Sequence, residues 1–170
     1  PCQGLADQDD RSRILVAVAK EIDALIPQIA EFSSEGRAFP LSESPEYSRI
    51  RDIDGHLEAL HEIAGDLLLD NDERITALSV IGAIGEPSSM TLILLILADN
   101  NDISAVRSKA IEVAVATGDR RCHIPLAEII ALPERRHTAG EDGPTYDRWR
   151  ALKANAAHGL ARFSDEPVAV

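Results

Sequence analysis

Basic and aromatic residues gather between positions 133 and 150 of a chain that is otherwise acidic. Arginine, tryptophan and tyrosine are the residue types most enriched in binding hot spots, because each combines a large contact area with polar groups. Several of them belong to a Gly/Pro-rich stretch, PERRHTAGEDGPTYD (133–147), and loops of this length inside compact folds are uncommon and often functional. We therefore predict a protein-binding surface formed by Arg135, Arg136, His137, Tyr146, Arg148 and Trp149.

A structural role is the alternative for the same group of residues. In that interpretation Trp149 closes the hydrophobic core at the last helix, and the arginines keep the neighbouring loop solvated. Both interpretations place the tryptophan where the chain leaves the loop.

The five histidines are the residues from which a metal site or a general base would be built. His56 and His61 lie five positions apart, whereas two histidines that share a metal on one helix prefer a spacing of four. Cys122 and His123 are adjacent, so on a helix their side chains point about 100° apart. The sequence contains no glycine-rich phosphate loop, dinucleotide fingerprint or G-x-S-x-G motif. We predict a non-enzymatic protein with no catalytic residue, no metal and no cofactor.

The net charge of −12 indicates which partners the chain favours. Residues 1–70 carry 15 acidic and 6 basic residues, so most of the excess negative charge lies in the first part of the chain. Such a charge repels nucleic acid and anionic membrane surfaces, and it favours a basic protein as partner. The longest apolar run, LILLILA (92–98), is far shorter than the ~18–20 residues that cross a bilayer. We predict a protein partner, no nucleic acid and no membrane span.

The elements that position these residues are predicted to be helices, since aliphatic residues are plentiful and only 4% of the residues are aromatic. Apolar residues at steps of three and four predict a first helix from Asp10 to Phe32, with a kink or break near Leu25–Ile26 because Pro27 follows. A second helix is predicted from Ser44 or Pro45 to Leu69, with Gly55 inside it.

Two later segments match each other at one constant spacing. They are DERITALSVIGAIGE (72–86) and DISAVRSKAIEVAVATGD (102–119), and each is followed by another apolar helical segment. The matched positions include Arg74 with Arg107 and Gly85 with Gly118. Each glycine of the second pair stands where a helix should end in the left-handed conformation. We also predict that Asp102 caps the second of these helices.

A third, later copy is LKANAAHGLARF (152–163). Its Lys153 aligns with Arg107. These two residues are further apart in the sequence than Arg74 and Arg107 are, and the Gly/Pro-rich stretch accounts for the additional residues. The unit that recurs is a helix, a tight glycine turn, a second helix and a short polar link.

This pattern resembles HEAT-like repeats, to which armadillo and phycobilin-lyase-type repeats are related. The resemblance covers residues 72–163, and it implies an all-α fold, a short α-solenoid of about three stacked antiparallel helical hairpins. It also implies that Arg74 and Arg107 set the stacking by packing against acidic residues, for which Asp70, Asp72 and Asp102 are the candidates. The implied organisation is one domain over 1–170. It begins with a helical pair at 10–69, which is a degenerate repeat or a cap. Two repeats at 70–132, an inserted loop at 133–147 and a final helix at 148–163 follow.

Proteins with such repeats commonly bind other proteins, so the predicted function is an adaptor or regulatory scaffold. The alternative is a small acidic inhibitor, of the immunity-protein type, that neutralises a basic protein. A third possibility is an enzyme on the same scaffold, such as a lyase or a metal-dependent hydroxylase. HEAT-like hydroxylases bind a di-iron centre through several His-Glu pairs, and this chain has one such pair, His61–Glu62.

Overall fold

A computed structural model describes the backbone of residues 3–99, 102–132 and 143–164, and the side chains of residues 8–99, 102–132 and 150–163. Within these ranges every regular element is helical and no strand occurs, so the all-α prediction is confirmed. Three 3-10 turns lie at Leu41–Glu43, Pro87–Ser89 and Arg120–Cys122. The helices are α1 (Gln3–Ser34), α2 (Pro45–Arg51), α3 (His56–Gly65), α4 (Asn71–Ile84), α5 (Met90–Ala98), α6 (Ser104–Thr117), α7 (His123–Ala131) and α8 (Gly143–Ser164).

The chain divides into an N-terminal unit, Pro1–Gly85, and a C-terminal unit, Glu86–Val170. In the N-terminal unit α1 packs against α2, α3 and α4, and α3 packs against α4. Its core is aliphatic and follows the helical spacing expected from the sequence. The fully buried residues include Val18, Ile22, Leu25, Ile50, Leu60, Leu78 and Ile81.

The first helix is longer than predicted and has no break. It continues through Pro27 to Ser34, although a proline removes one helical hydrogen bond. Leu25 is fully buried and Pro27 is exposed, so core packing holds the helix while the proline ring lies on the solvent side.

The predicted second helix is two helices in the structure, and Gly55 explains the difference. Ser44 caps α2 by accepting a hydrogen bond from the Tyr47 backbone N–H at 3.1 Å, so the predicted start is confirmed. Gly55 then has a φ of 80°, a left-handed conformation that cannot continue a helix, and it precedes α3. A Cβ atom at Gly55 would lie 3.3 Å from Ile14 Cδ1, so the glycine also allows α1 to approach closely.

Helix bounds in the later part of the chain recur at the same spacing as the matched segments of the sequence. α4 and α6 each have 14 residues, and α5 and α7 each have 9. Gly85 and Gly118 end α4 and α6 with φ values of 72° and 69°, which confirms the predicted glycine ends. The start of α6 differs from the prediction, because Ile103 occupies the N-cap position and has no side-chain cap. Asp102 instead accepts a hydrogen bond from the Ile103 backbone N–H at 2.7 Å.

In the C-terminal unit α8 packs against α6 and α7, and α5 packs against α6 and α7. Gly159 makes the α6–α8 contact close, because a Cβ atom there would lie 2.8 Å from Val115 Cγ2. α8 begins at Gly143, so residues 143–147, predicted as part of the inserted loop, belong to the helix. Pro144 stands in its first turn, where a proline costs no hydrogen bond.

Candidate protein-binding groove

The predicted Arg/Trp surface lies largely outside what the structure describes. Arg135, Arg136 and His137 are outside the described residues. Tyr146, Arg148 and Trp149 belong to α8, but their side chains also fall outside the described ranges. This surface therefore stays a prediction.

The described cysteine and histidine residues considered as catalytic or metal-binding candidates lie in surroundings that do not activate them. Cys122 is buried with its Sγ atom 3.8 Å from Met90 Sδ, and burial raises the pKa of the Cys122 thiol to about 11. A thiol at neutral pH is a poor nucleophile, because the thiolate is the reactive form. Burial also lowers the pKa of His61, against the opposing effect of Glu58. Across the side chains that the structure describes, no group of three or more His, Cys, Asp or Glu residues is arranged to hold a metal ion.

No helix within the described ranges is both long enough and apolar enough to span a membrane.

The two aligned arginines occupy equivalent buried positions. Arg74 is 2% exposed and its Nε donates to the Ala64 carbonyl oxygen at 3.1 Å. Arg107 is 4% exposed and its Nη2 donates to the Leu97 carbonyl oxygen at 2.8 Å. Each acceptor lies ten residues before its arginine, in the last turn of the preceding helix, where carbonyl groups lack helical partners and carry partial negative charge.

Lys153, the residue aligned with Arg107 in the third copy, makes a contact of the same kind. Its Nζ donates to the carbonyl oxygen of Leu132, the C-cap residue of α7. Burial lowers the pKa of Arg107, and the negative charges of Asp102 and Asp99 oppose that effect. These cations hold the end of one helix against the next through a backbone carbonyl, and Arg107 also lies near the carboxylates of Asp102 and Asp99.

A surface groove lies between α1 and α3 in the N-terminal unit. Its larger part, of about 450 Å³, is bounded by α1, Gly55 and the first half of α3. Its second part, of about 220 Å³, continues to the turn after α3 and the start of α4. Leu15 and Glu62 belong to both parts, so we treat them as one feature, the α1–α3 groove.

Apolar side chains form the walls of the α1–α3 groove. Ile22 and Ile63 are buried at its base, whereas Val16 is 69% exposed although it is aliphatic. Ala19 has a short side chain and leaves space beside α3, as does Gly55. The exposed Leu67 and Leu68 follow Asp66 in the same turn that lines one end. The walls consist of Ile14, Leu15, Val16, Ala19, Ile22, Ala59, Ile63 and Leu69.

Carboxylates form the rim of the α1–α3 groove. Glu58, Glu62 and Asp66 follow one another at four-residue spacing, which places them along one side of α3. Asp66 has a local role, since its Oδ1 accepts from the Leu68 backbone N–H at 2.9 Å. Glu73 likewise accepts from the Asp70 backbone N–H at 3.0 Å, within the capping box of α4.

One cation lies on this rim. The Nη2 and Nε atoms of Arg11 are 2.9 Å and 3.1 Å from Glu62 Oε2, so α1 and α3 are joined by an ion pair at the place where the two parts of the groove meet. Like charges four residues apart on a helix destabilise it slightly, and Arg11 offsets part of that repulsion. An apolar groove with an acidic rim is suited to a ligand that is both apolar and basic.

A second groove lies between α6 and α8 in the C-terminal unit. It measures about 170 Å³, and its apolar lining comes from Ile111 and Val115. Its polar lining carries both signs of charge: Glu112 on α6, which also pairs with Lys109, faces Arg162 and His158 of α8.

Comparison with known proteins adds nothing to this geometry: no family model, curated protein or solved structure matches the chain.

Sequence reasoning identified the acidic first part of the chain as a region that favours a basic partner, but it did not locate the groove. The four-residue spacing of Glu58, Glu62 and Asp66 is visible in the sequence and would have indicated the rim. The wall did not follow from the sequence, because the helical stripe predicted for the first helix contains Leu15 but not Val16, and no local pattern indicates which helix lies beside Val16. The packing of α1 on α3 places the exposed Val16 at the edge of a groove.

Proposed function

We propose that the chain is a non-enzymatic protein-binding module, and that the α1–α3 groove of its N-terminal unit binds a basic, partly apolar segment of another protein. The observation that carries this proposal is the combination of an apolar wall containing the exposed Val16 with an acidic rim. Apolar contact provides affinity, and complementary charge provides specificity and fast association.

The proposed scaffold is a set of HEAT-like helical hairpins. Two observations support this arrangement: the bounds of α4 and α5 recur at a constant spacing in α6 and α7, and a buried or half-buried cation contacts the end of the preceding helix in each of the three aligned copies. Repeat scaffolds of this type present side chains from successive helices to a partner.

Selection from a displayed library of random peptides tests the proposed function. The wild-type protein is expected to enrich peptides that combine leucine, isoleucine or phenylalanine with lysine or arginine. Ala19→Arg fills the groove with a long cationic side chain and is expected to abolish that enrichment. Ala24→Arg is the matched control, because Ala24 is an exposed residue of the same helix that does not line the groove.

The proposal fails if Ala19→Arg enriches the same peptides as wild type. If instead the enriched peptides are acidic and apolar, the binding surface is a basic one, and the predicted surface around Arg135, Arg136 and Trp149 becomes the one to test.

A further inference from the structure

We infer that the occupant of the α1–α3 groove is an amphipathic helix of about two turns, and that one of its basic residues replaces Arg11 on Glu62. This inference rests on the proposed function and names both the form of the ligand and a residue of this chain that competes with it.

The length of the rim sets the length of the ligand. Glu58 to Asp66 spans eight residue steps, from the first turn of α3 to its C-cap residue, which is about 12 Å at a rise of 1.5 Å per residue. A helix of about two turns matches this distance, and its residues at four-residue spacing would meet carboxylates at the same spacing.

The surroundings favour a helix over a strand. An extended peptide gains most of its affinity by pairing with the exposed edge of a sheet, and the described part of the chain contains no strand. The groove walls are side chains of two helices, so a ligand has to bind through its own side chains. An amphipathic helix does this with apolar residues at positions i, i+3, i+4 and i+7.

Arg11 already occupies the position that a basic ligand residue would take. Its guanidinium contacts Glu62, which belongs to both parts of the groove, and Arg11 itself lines the larger part. The Arg11 side chain is 74% exposed and that of Glu62 is 39% exposed. Ion pairs as exposed as this contribute little to stability, so a ligand can displace Arg11 at little cost to the fold.

Displacement has a consequence for affinity. While Arg11 is paired with Glu62, one rim charge is neutralised and part of the groove is covered by the arginine side chain. A ligand therefore has to compete with Arg11, and removing the competitor should strengthen binding. This outcome is opposite to the loss expected if Arg11 itself contacted the ligand favourably.

The test uses a synthetic amphipathic peptide of roughly 14 residues, with leucines on one face and arginines or lysines beside them. It is longer than the two turns that match the rim, because isolated helices shorter than about 12–15 residues are marginal in water. Binding to the full chain is measured by titration calorimetry. The control peptide has the same composition in an order that destroys the apolar face. Helix formation on binding is followed by circular dichroism with the peptide signal isolated by difference.

Arg11→Gln is expected to bind the peptide about threefold more tightly than wild type, since an exposed charge pair is worth up to a few-fold in affinity. Arg13→Gln is the matched control: it removes the same charge from the same helix, but Arg13 is 80% exposed and does not line the groove. Arg11→Lys keeps the competing charge and should resemble wild type. The double variant Glu58→Gln/Glu62→Gln should bind about five- to tenfold more weakly.

Equal affinities for Arg11→Gln and Arg13→Gln would overturn the inference about Arg11, as would weaker binding by Arg11→Gln. Failure of the amphipathic peptide to bind wild type, or equal binding of the control peptide, would overturn the helical ligand. Both results leave the proposed function to be decided by the library selection, where an extended basic peptide can still be enriched.

Discussion

The grooves of the two units differ in the charge and in the apolar extent of the residues that line them. Each groove lies between two packed helices, but the α1–α3 groove has a continuous aliphatic wall and a row of carboxylates. The α6–α8 groove is smaller, and Glu112 lies in it together with Arg162 and His158. A site with both charges has no strong preference for either sign of ligand. Part of the excess negative charge of the first 70 residues, carried by Glu58, Glu62 and Asp66, thus lies at one groove.

Beneath these different surfaces the two units share the same buried contact. Arg74 in the N-terminal unit and Arg107 in the C-terminal unit each donate to a carbonyl oxygen ten residues earlier, at the end of the preceding helix. The features that recur along the chain therefore stabilise the fold. The groove residues of α1 precede the first of these copies and have no counterpart in them.

The largest effect is expected from removing either buried arginine. Arg74→Met and Arg107→Met should each lower the free energy of unfolding by about 3 kcal/mol, because a buried, hydrogen-bonded charge is lost and a helix end loses its donor. Chemical denaturation followed by circular dichroism measures the change. Arg13→Met, at an 80% exposed side chain, is the control and should change stability by less than about 0.5 kcal/mol.

If only one of the two substitutions lowers the free energy of unfolding, the two units do not share a stabilising contact. Arg107→Lys should retain part of the stability, since Lys153 makes the corresponding contact with Leu132 in the third copy.

The sequence predicted the repeated part of the fold much better than the unrepeated part. The C-terminal ends of α4 and α6 followed from Gly85 and Gly118, because a glycine required for a left-handed turn is a local signal. The division between α2 and α3 did not follow, although Gly55 has a positive φ as well. Gly55 stands inside a continuous apolar stripe, and whether a glycine there interrupts the helix depends on the approach of Ile14.

The candidate site was only half predictable for the same reason. Charge is a property of composition, so the acidic character of the N-terminal unit could be predicted from residues 1–70. A groove is a property of packing between residues distant in sequence, such as Val16 and Ile63, and no local pattern records it. The stretch 133–147, whose composition predicts part of a binding surface, lies mostly outside the described residues.

A smaller effect is expected at Gly159, where α8 packs closely on α6. Gly159→Ala places a Cβ atom 2.8 Å from Val115 Cγ2, and overpacking of this kind typically costs about 1–3 kcal/mol. The better helix propensity of alanine returns about 1 kcal/mol, so we expect a net loss of up to about 2 kcal/mol. Denaturation of Val115→Ala, Gly159→Ala and the double variant forms a double-mutant cycle. Val115→Ala should relieve the clash that Gly159→Ala creates, and strictly additive changes in the free energy of unfolding would contradict the close contact.

The smallest effect concerns acid stability, and each unit supplies one carboxylate for the comparison. In the N-terminal unit a hydrogen bond from its own backbone N–H lowers the pKa of Glu46 below 4.5, against the opposing effect of burial. In the C-terminal unit side-chain and backbone hydrogen bonds from Arg121 lower the pKa of Asp119 below 3.8. A carboxylate with a lowered folded pKa stabilises the fold above its unfolded pKa, and this contribution disappears as the pH falls through the folded value.

Glu46→Gln and Asp119→Asn should therefore lose stability relative to wild type at pH 7 and approach it near pH 2. Each loss should be below about 1 kcal/mol, because solvent screens such partly exposed pairs. Denaturation at a series of pH values measures both differences. Because Glu46 is the more buried residue, its variant should show the larger loss at pH 7. A difference that grows towards low pH would mean that the carboxyl group is stabilised in its protonated form, which is the opposite of the hydrogen-bonding pattern at both residues.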